Sequence, residues 1–554
     1  PPPGVTLVST GSPRASASVR GLIPGHTLLH NGPFRLPAWG AFFPGLPDPA
    51  ESIFDGTVIL HRQARSVLHG GGASGGSLTV GAGPAPATHP EDPIDLTLFT
   101  ELRSRPRSHA SGFQTVSGEG PYALQIRSLR RQSTSFSLPA QGNGQNDQLD
   151  DLVGSAGITY FLPRGGRISA HGAGADHQFF HPAIASGNHS SGERWNSRVR
   201  STGAEADLPL RGERLDRLSL IVGHATHSLQ PVADRLPSRP RADWTLTQIR
   251  GSTGGETHSG HRFQTGIEGL RERIEPSPLS GSANDVSSDS ASLFWRQEGS
   301  ATSFRWLLGG RLEGWDVSNA HGQSRTGTGG AFSADLFHDL DHGSTARAGL
   351  GYQDLAPSMD HLLFGPPQSA SHRMVDGRMG WDREGDQGGF SILLYGRHLP
   401  RSPVTGTSTP LDGAPSGLTQ MGGEVGADWT FCQTPDGLLR WEGWVDHTRA
   451  LSRDERAYAE ANRSLRIYNR IEGEYHLWSG GVDLLHWLKT GRAPDGPAQT
   501  LLGIDLRRTI YYPRSQWDLT LRWSNLIGES QQSSTLYSPA TPPRRVTLAF
   551  SARF

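Results

Sequence analysis

The chain has 554 residues, with 52 Lys and Arg against 53 Asp and Glu mixed along its length. That excludes both the basic stripe of a nucleic-acid binder and an acidic tail. Glycine, at 71 residues, is nearly double the usual share of about 7%, yet 14 Trp and 20 Phe exclude wholesale disorder, which leaves apolar surface spread over thin strands with many turns.

The chain opens Pro1-Pro2-Pro3-Gly4, with no initiator Met, basic stretch or apolar leader, so a signal peptide is not expected within this sequence. Residues 1–85 read as short apolar strands separated by glycines. Val19-Arg20-Gly21 is followed by Leu28-Leu29-His30-Asn31-Gly32, then by Val58-Ile59-Leu60-His61-Arg62. Ser66-Val67-Leu68-His69-Gly70 and Gly72-Ala73-Ser74-Gly75-Gly76-Ser77-Leu78-Thr79-Val80 complete the segment. Gly70, Gly72 and Gly75 match a dinucleotide fingerprint as a string, but that motif needs a helix after the glycines, and here they run into a strand. Gly72, Ser74 and Gly76 fail as a nucleophile elbow for the same reason. Residues 86–93 form a proline-containing linker.

From Ile94 onward the dominant period is two. Phe304, Trp306, Leu308 and Leu312 share a face opposite Arg305, Arg311 and Glu313. Trp517, Leu519, Leu521 and Trp523 alternate with Asp518, Thr520, Arg522 and Ser524, and Val546 to Phe554 repeats the pattern. Segments of about ten residues, apolar on one face and charged on the other, are the signature of strands that cross a membrane as a barrel. Aromatics at strand ends (Trp441, Trp478, Tyr511, Tyr512, Trp517, Trp523) suit an interfacial girdle. No run of 18 or more apolar residues suggests a membrane helix. Residues 94–554 accommodate roughly 20–22 strands with their turns. A barrel so wide needs something in its lumen, and residues 1–85 are the candidate.

Histidine is abundant, at 23 residues. Asp176, His177, His181 and His189 cluster after the strand beginning at Arg167, in an expected external loop, where imidazole and carboxylate would suit Zn, Cu, Ni or Fe. Asp360 and His361 form a smaller candidate pair. His224 and His227 are three apart and fall on opposite strand faces, so they cannot chelate together. Glu472 and Glu474 share a face, where pairing with Arg466 or Arg470 in a hydrated lumen explains them better than catalysis does. The single Cys432 excludes an intrachain disulfide and a Cys-based metal site.

In order and spacing these pieces resemble the TonB-dependent outer-membrane receptors. Val19-Arg20-Gly21 resembles the V/I-R-G turn of their plug, Asn31-Gly32 the D/N-G strand end, and Arg62 the arginine of an E-V-x-R-G-P-x-S segment. Gly70, Gly72, Gly75 and Gly76 are similar to the glycine-rich plug end. Gly118-Glu119-Gly120-Pro121-Tyr122-Ala123-Leu124 looks like an early hairpin, Leu355-Ala356-Pro357-Ser358 with Leu362 like a mid-barrel stretch, and Ser524-Asn525-Leu526 with Phe554 like the closing strands. The early hairpin and Pro543-Arg544-Arg545-Val546 are nearest the zinc-uptake receptors. Departures are Ile59 in place of the plug Glu, and prolines at 49 and 367 where the zinc receptors carry histidine, although Asp48 matches.

The resemblance implies an all-β transmembrane barrel of about 22 antiparallel strands (94–554), closed by Phe554, with a partly truncated α+β plug (1–85) in its lumen. Arg20 and Arg62 would latch the plug to barrel carboxylates, and Gly21 belongs with Gly70, Gly72, Gly75 and Gly76 to the plug glycine motif. The expected role is uptake of a metal ion, metal chelate or siderophore across the Gram-negative outer membrane, with the metal as cargo and no resident cofactor. A monomer in outer-membrane lipid would work with the TonB–ExbB–ExbD complex, without nucleic acid and without enzymatic activity. Pro3-Gly4-Val5 resembles a mid-plug P-G-V, so the segment that engages TonB is not expected in this sequence. The alternative expectation is an uncoupled barrel serving as a passive pore or surface scaffold.

Overall fold

The computed structural model describes residues 5–8, 16–19, 27–36, 58–61, 76–80 and 85–90. From residue 93 onward it describes the barrel strands and parts of the connections between them. Arg20, Gly21, Asp48, Arg62, Gly70, Gly72, Gly75, His189, Asp360 and His361 lie outside the described residues.

Among the described residues six short strands precede the barrel: β1 (Val5–Val8), β2 (Ser16–Val19), β3 (Thr27–Asn31), β4 (Phe34–Leu36), β5 (Val58–His61) and β6 (Gly76–Val80). β1 and β2 pair with each other, while the other four form a sheet in the order β4-β3-β6-β5, with β3 and β6 parallel. Gly76 opens β6, so the glycine-rich segment runs into a strand, as its sequence requires. The described strands of this domain form these two sheets.

Twenty-two antiparallel strands then close on themselves. They run from β7 (Ile94–Ser104), β8 (Arg107–Glu119), β9 (Tyr122–Thr134) and β10 (Leu149–Phe161) to β11 (Arg167–His181), β12 (Glu193–Pro209), β13 (Leu215–Pro231) and β14 (Ala242–Glu256). Next come β15 (Arg262–Ile274), β16 (Val286–Ala301), β17 (Phe304–Ser318), β18 (Ser324–Leu340), β19 (Ser344–Leu355), β20 (His372–Gly385) and β21 (Gly388–Leu399). The last are β22 (Leu418–Thr434), β23 (Gly437–Ala450), β24 (Ser464–Tyr475), β25 (Trp478–Lys489), β26 (Gln499–Tyr512), β27 (Ser515–Ser524) and β28 (Arg545–Arg553).

Closure is made by β28 pairing with β7, from Thr547 opposite Arg103 to Arg553 opposite Thr97, and Phe554 extends the seam. The Phe554 N–H donates to the Leu96 carbonyl at 2.8 Å, the Leu96 N–H donates back at 3.2 Å, and the Arg553 guanidinium grips Asp95. A sheet without an edge leaves no backbone group unpaired in lipid, which is why strands can cross a membrane.

One rim has short turns, such as Gly120-Pro121, Thr302-Ser303 and His476-Leu477. Gly120 there takes a φ of 58°, open to glycine without strain. The opposite rim has long connections, such as 135–148, 400–417 and 525–544, the asymmetry of an outer-membrane barrel. The linker reaches the short-turn rim, where Thr159 donates to Pro86 O (2.8 Å), Arg167 to Ala87 O (2.8 Å), and His89 meets Gly120 O (2.9 Å).

Alternation sorts the residues by face. Leu152, Ile158, Ile249, Ile267, Leu312, Leu350 and Met379 point outward and are about half exposed or more, while Arg311 and Glu313 on the inner face are 3% exposed each. An apolar belt of this extent suits lipid, not water. Aromatics mark the short-turn rim: Tyr122 with Tyr160, Trp381 with Phe390, and Trp517 with Tyr512. Trp523 lies at the other end of β27.

Wall height is uneven. β12 and β13 have 17 residues each, β28 only 9. Seventeen residues at about 3.4 Å each exceed an apolar band of about 25 Å even when tilted. The excess of β12 carries outward charges, Arg198 and Arg200, paired with Asp176 of β11 at 2.9 and 3.0 Å.

Candidate plug–barrel junction and solute path

The junction begins with a two-residue turn. β3 ends at Asn31, Gly32 takes a φ of 55°, and Pro33 leads into β4. Such a turn needs glycine in its first position, and it projects the next residues toward the wall. Phe34 is 5% exposed, with its ring 4.2 Å from that of His171 on β11. It lies across a row in register: His171 opposite Gly203, and Gly203 opposite Gly223. A Cβ on Gly203 would come within 2.5 Å of the Phe34 ring, and one on Gly223 within 3.0 Å. The glycines thus form a notch on the inner wall, and the aromatic ring fills it.

Arg35 follows. Its backbone N–H donates to Gln248 Oε1 at 3.2 Å, and its guanidinium pairs with Glu272 at 3.2 Å. Beside this pair Arg311 bonds both Glu268 (2.8 Å) and Glu313 (2.9 Å), and Gln248 donates to Glu268 at 2.7 Å. The Arg250 charge acts on Glu268 as well, and its guanidinium lies 4.3 Å from the Phe294 ring centre. Three guanidinium groups therefore balance three carboxylates. Burial is tolerable because the charges are matched in number and Arg35, Arg311, Glu268, Glu272 and Glu313 are hydrogen-bonded; the arrangement specifies geometry more than it adds stability.

The other side of the lumen is wetter. On β24–β27, Arg470 bonds Asp505 at 2.9 Å and Glu472 at 3.1 Å, and Asp483 lies 3.7 Å from both Arg470 and Arg522. These side chains are 17–52% exposed. Glu472 thus lines the lumen in an ion pair, as its alternation required.

Of the expected histidine cluster, Asp176 and His177 are placed on different faces of the wall. Asp176 and His177 lie within β11, not in a loop, and adjacent strand residues face opposite sides. Asp176 is on the outer wall, paired with Arg198 (2.9 Å) and Arg200 (3.0 Å), beside an outward groove of ≈ 620 Å³. His177 faces the lumen, 2% exposed, with its Nδ1 3.3 Å from Asp151. His181 ends β11 opposite Glu193 in register. His227 faces the lumen and meets Ser197 Oγ at 2.8 Å, while His224 is on the outer face with Thr247 at 3.0 Å. Among the described residues no three His, Cys, Asp or Glu side chains converge as a metal site.

No protein-family model matches the sequence, and no curated protein matches it. Solved structures match over the whole chain. The iron transporter FrpB from Neisseria meningitidis (F3-3 variant) superposes with a TM-score of 0.80 at 12% identity, covering 100% of this chain and 95% of that one. The copper transporter OprC gives 0.78 at 14% identity, with 100% and 94% covered. The siderophore receptor PirA from Pseudomonas aeruginosa gives 0.71 at 12% identity, again with 100% and 94% covered.

The fold is that of the TonB-dependent receptors. Within this receptor fold the described contact between plug and wall is made by Phe34 and Arg35, which the motif reading had not singled out. The available signal was local: an arginine three residues beyond an Asn-Gly strand end, on a hairpin too short to bury its own side chains. Its partners, Gln248 and Glu272, are more than two hundred residues away, and no spacing rule reaches them.

Proposed function

We propose that this chain takes up a scarce small solute (a metal ion, metal chelate or siderophore) across the Gram-negative outer membrane. The observation that carries this reading is a plug hairpin wedged into the inner wall of a closed barrel whose outer face is an apolar belt. Such a barrel without a plug would leak, and a plug held by paired charges can be moved without breaking the wall. Solute would enter at the rim with long connections and leave at the rim where the linker attaches. The similar structures, an iron transporter, a copper transporter and a siderophore receptor by name, support this solute class. Energy would come from the TonB–ExbB–ExbD complex, acting on the plug of a monomer in outer-membrane lipid. The solute is cargo, and the reading requires neither a resident cofactor nor catalysis.

His177, with its lumen-facing ring, and His181 are the first ligands to test, followed by Asp48, His189, Asp360 and His361. Asp176, on the outer wall, drops out of that set. Binding of Zn²⁺, Cu²⁺ and a ferric siderophore to the folded barrel is compared with binding to the His177→Ala/His181→Ala variant. Weaker binding supports the histidine path, and identical binding removes it. Uptake of the bound solute by cells with and without TonB tests the transport reading itself: equal uptake overturns it in favour of a passive pore.

A further inference from the structure

We propose that Gln248, Glu268, Arg311 and Glu313 are positioning residues that tie the start of the β19–β20 connection to the plug hairpin, so that the two segments move as one unit. In the transport reading, on which its purpose rests, this coupling lets an event at the long-connection rim reach the plug through the barrel wall.

Neighbouring strands differ in length here. β19 stops at Leu355 while β17 and β18 continue upward past it: Asp354 stands opposite Gly330, and Gly330 opposite Leu312, six residues short of the end of β17. The connection after β19 therefore begins below the top of the wall. Leu355, Ala356, Met359 and Leu362 are 1–5% exposed, so its first residues are covered, not splayed into solvent.

From there an unbroken series of hydrogen bonds runs to the plug. The Ala356 N–H donates to Glu313 Oε1 at 3.1 Å. Arg311 donates through Nε to Glu313 Oε2 at 2.9 Å and through Nη2 to Glu268 Oε2 at 2.8 Å. Gln248 Nε2 donates to Glu268 Oε1 at 2.7 Å, and Gln248 Oε1 accepts from the Arg35 N–H at 3.2 Å. Gln248, Glu268, Arg311 and Glu313 are 2–6% exposed. Each uses both ends of its polar group, one toward the connection and one toward the plug. A carboxylate can accept on both sides, whereas an amide oxygen with its NH₂ cannot, so one substitution opens one link.

The Arg466–Asp446 pair differs. Arg466 and Asp446 are as buried, but they join adjacent strands, β23 and β24. The series here skips β18 and β16 on its way from β19 to β17, β15, β14 and β4.

Hydrogen exchange on the full chain in micelles tests the proposal. Glu313→Gln does not touch the plug, yet it should speed exchange in residues 27–36 about tenfold, the scale of one charge-assisted buried bond. Gln248→Leu does not touch the connection, yet it should speed exchange in residues 355–362, because coupling is reciprocal. Asp446→Asn, which opens a buried pair elsewhere in the wall, should leave both segments unchanged. The proposal is overturned if each variant speeds only the segment it touches, or if Asp446→Asn speeds both equally. Should Glu313→Gln not fold, the Gln248→Leu result decides alone. Failure of uptake with the exchange coupling intact would count against transport and not against the coupling.

Discussion

The lumen wall has two sides built from the same alternating pattern, and they do different things. Next to the plug hairpin, on β15 and β17, the inward charges of one network are sealed: Arg311 and Glu313 side chains are 1% exposed and Glu268 5%. On β24–β27 Arg470 and Asp505 keep about a fifth of their surface open. Arginine and carboxylate alternate with apolar residues in both places. The difference lies in what rests against them. Where a second domain excludes water, charges must be matched one for one; where water remains, a looser network is enough.

That contrast can be broken by substitution. Arg311→Met strands two buried carboxylates and should cost roughly 3–5 kcal/mol, read as a lower unfolding midpoint in heat-dependent gel migration. Phe34→Ala empties the notch over Gly203 and Gly223 at a cost of about 3 kcal/mol to plug docking, measured as faster exchange in residues 27–36 with the barrel midpoint unchanged. Leu312→Arg, one position from Arg311 but on the outer face, should cost about 2 kcal/mol if lipid covers it; an unchanged midpoint in bilayers would show that this face is wet. Arg470→Met on the open side should cost about 1 kcal/mol or less. A loss equal to that of Arg311→Met would erase the distinction between the sides. Asp176→Ala, on the outer wall above the belt, should fall within about 0.5 kcal/mol.

Much of the fold was legible in the chain. Period-two alternation at Phe304–Glu313 and Trp517–Ser524 told inside from outside, because adjacent strand residues must point to opposite faces. Gly120-Pro121 announced a tight turn, and Phe554 the closing strand. The candidate site was legible only in part. Asp176 and His177 looked like one ligand cluster because they are neighbours in sequence, but once the strand extends through them the same alternation divides them between outer wall and lumen. Glu472 was assigned correctly because its partner, Arg470, lies two residues away on the same face.

By itself, then, the sequence determined what each residue needs within its own strand: which face is apolar, where the chain turns, and that the sheet must close. These are local demands, written at a spacing of two. The meeting of Arg35 with Glu272, and of Ala356 with Glu313, was decided only by the tertiary structure. Such pairings depend on register and curvature summed over many strands and on where the plug comes to rest, and no short stretch of chain carries that information.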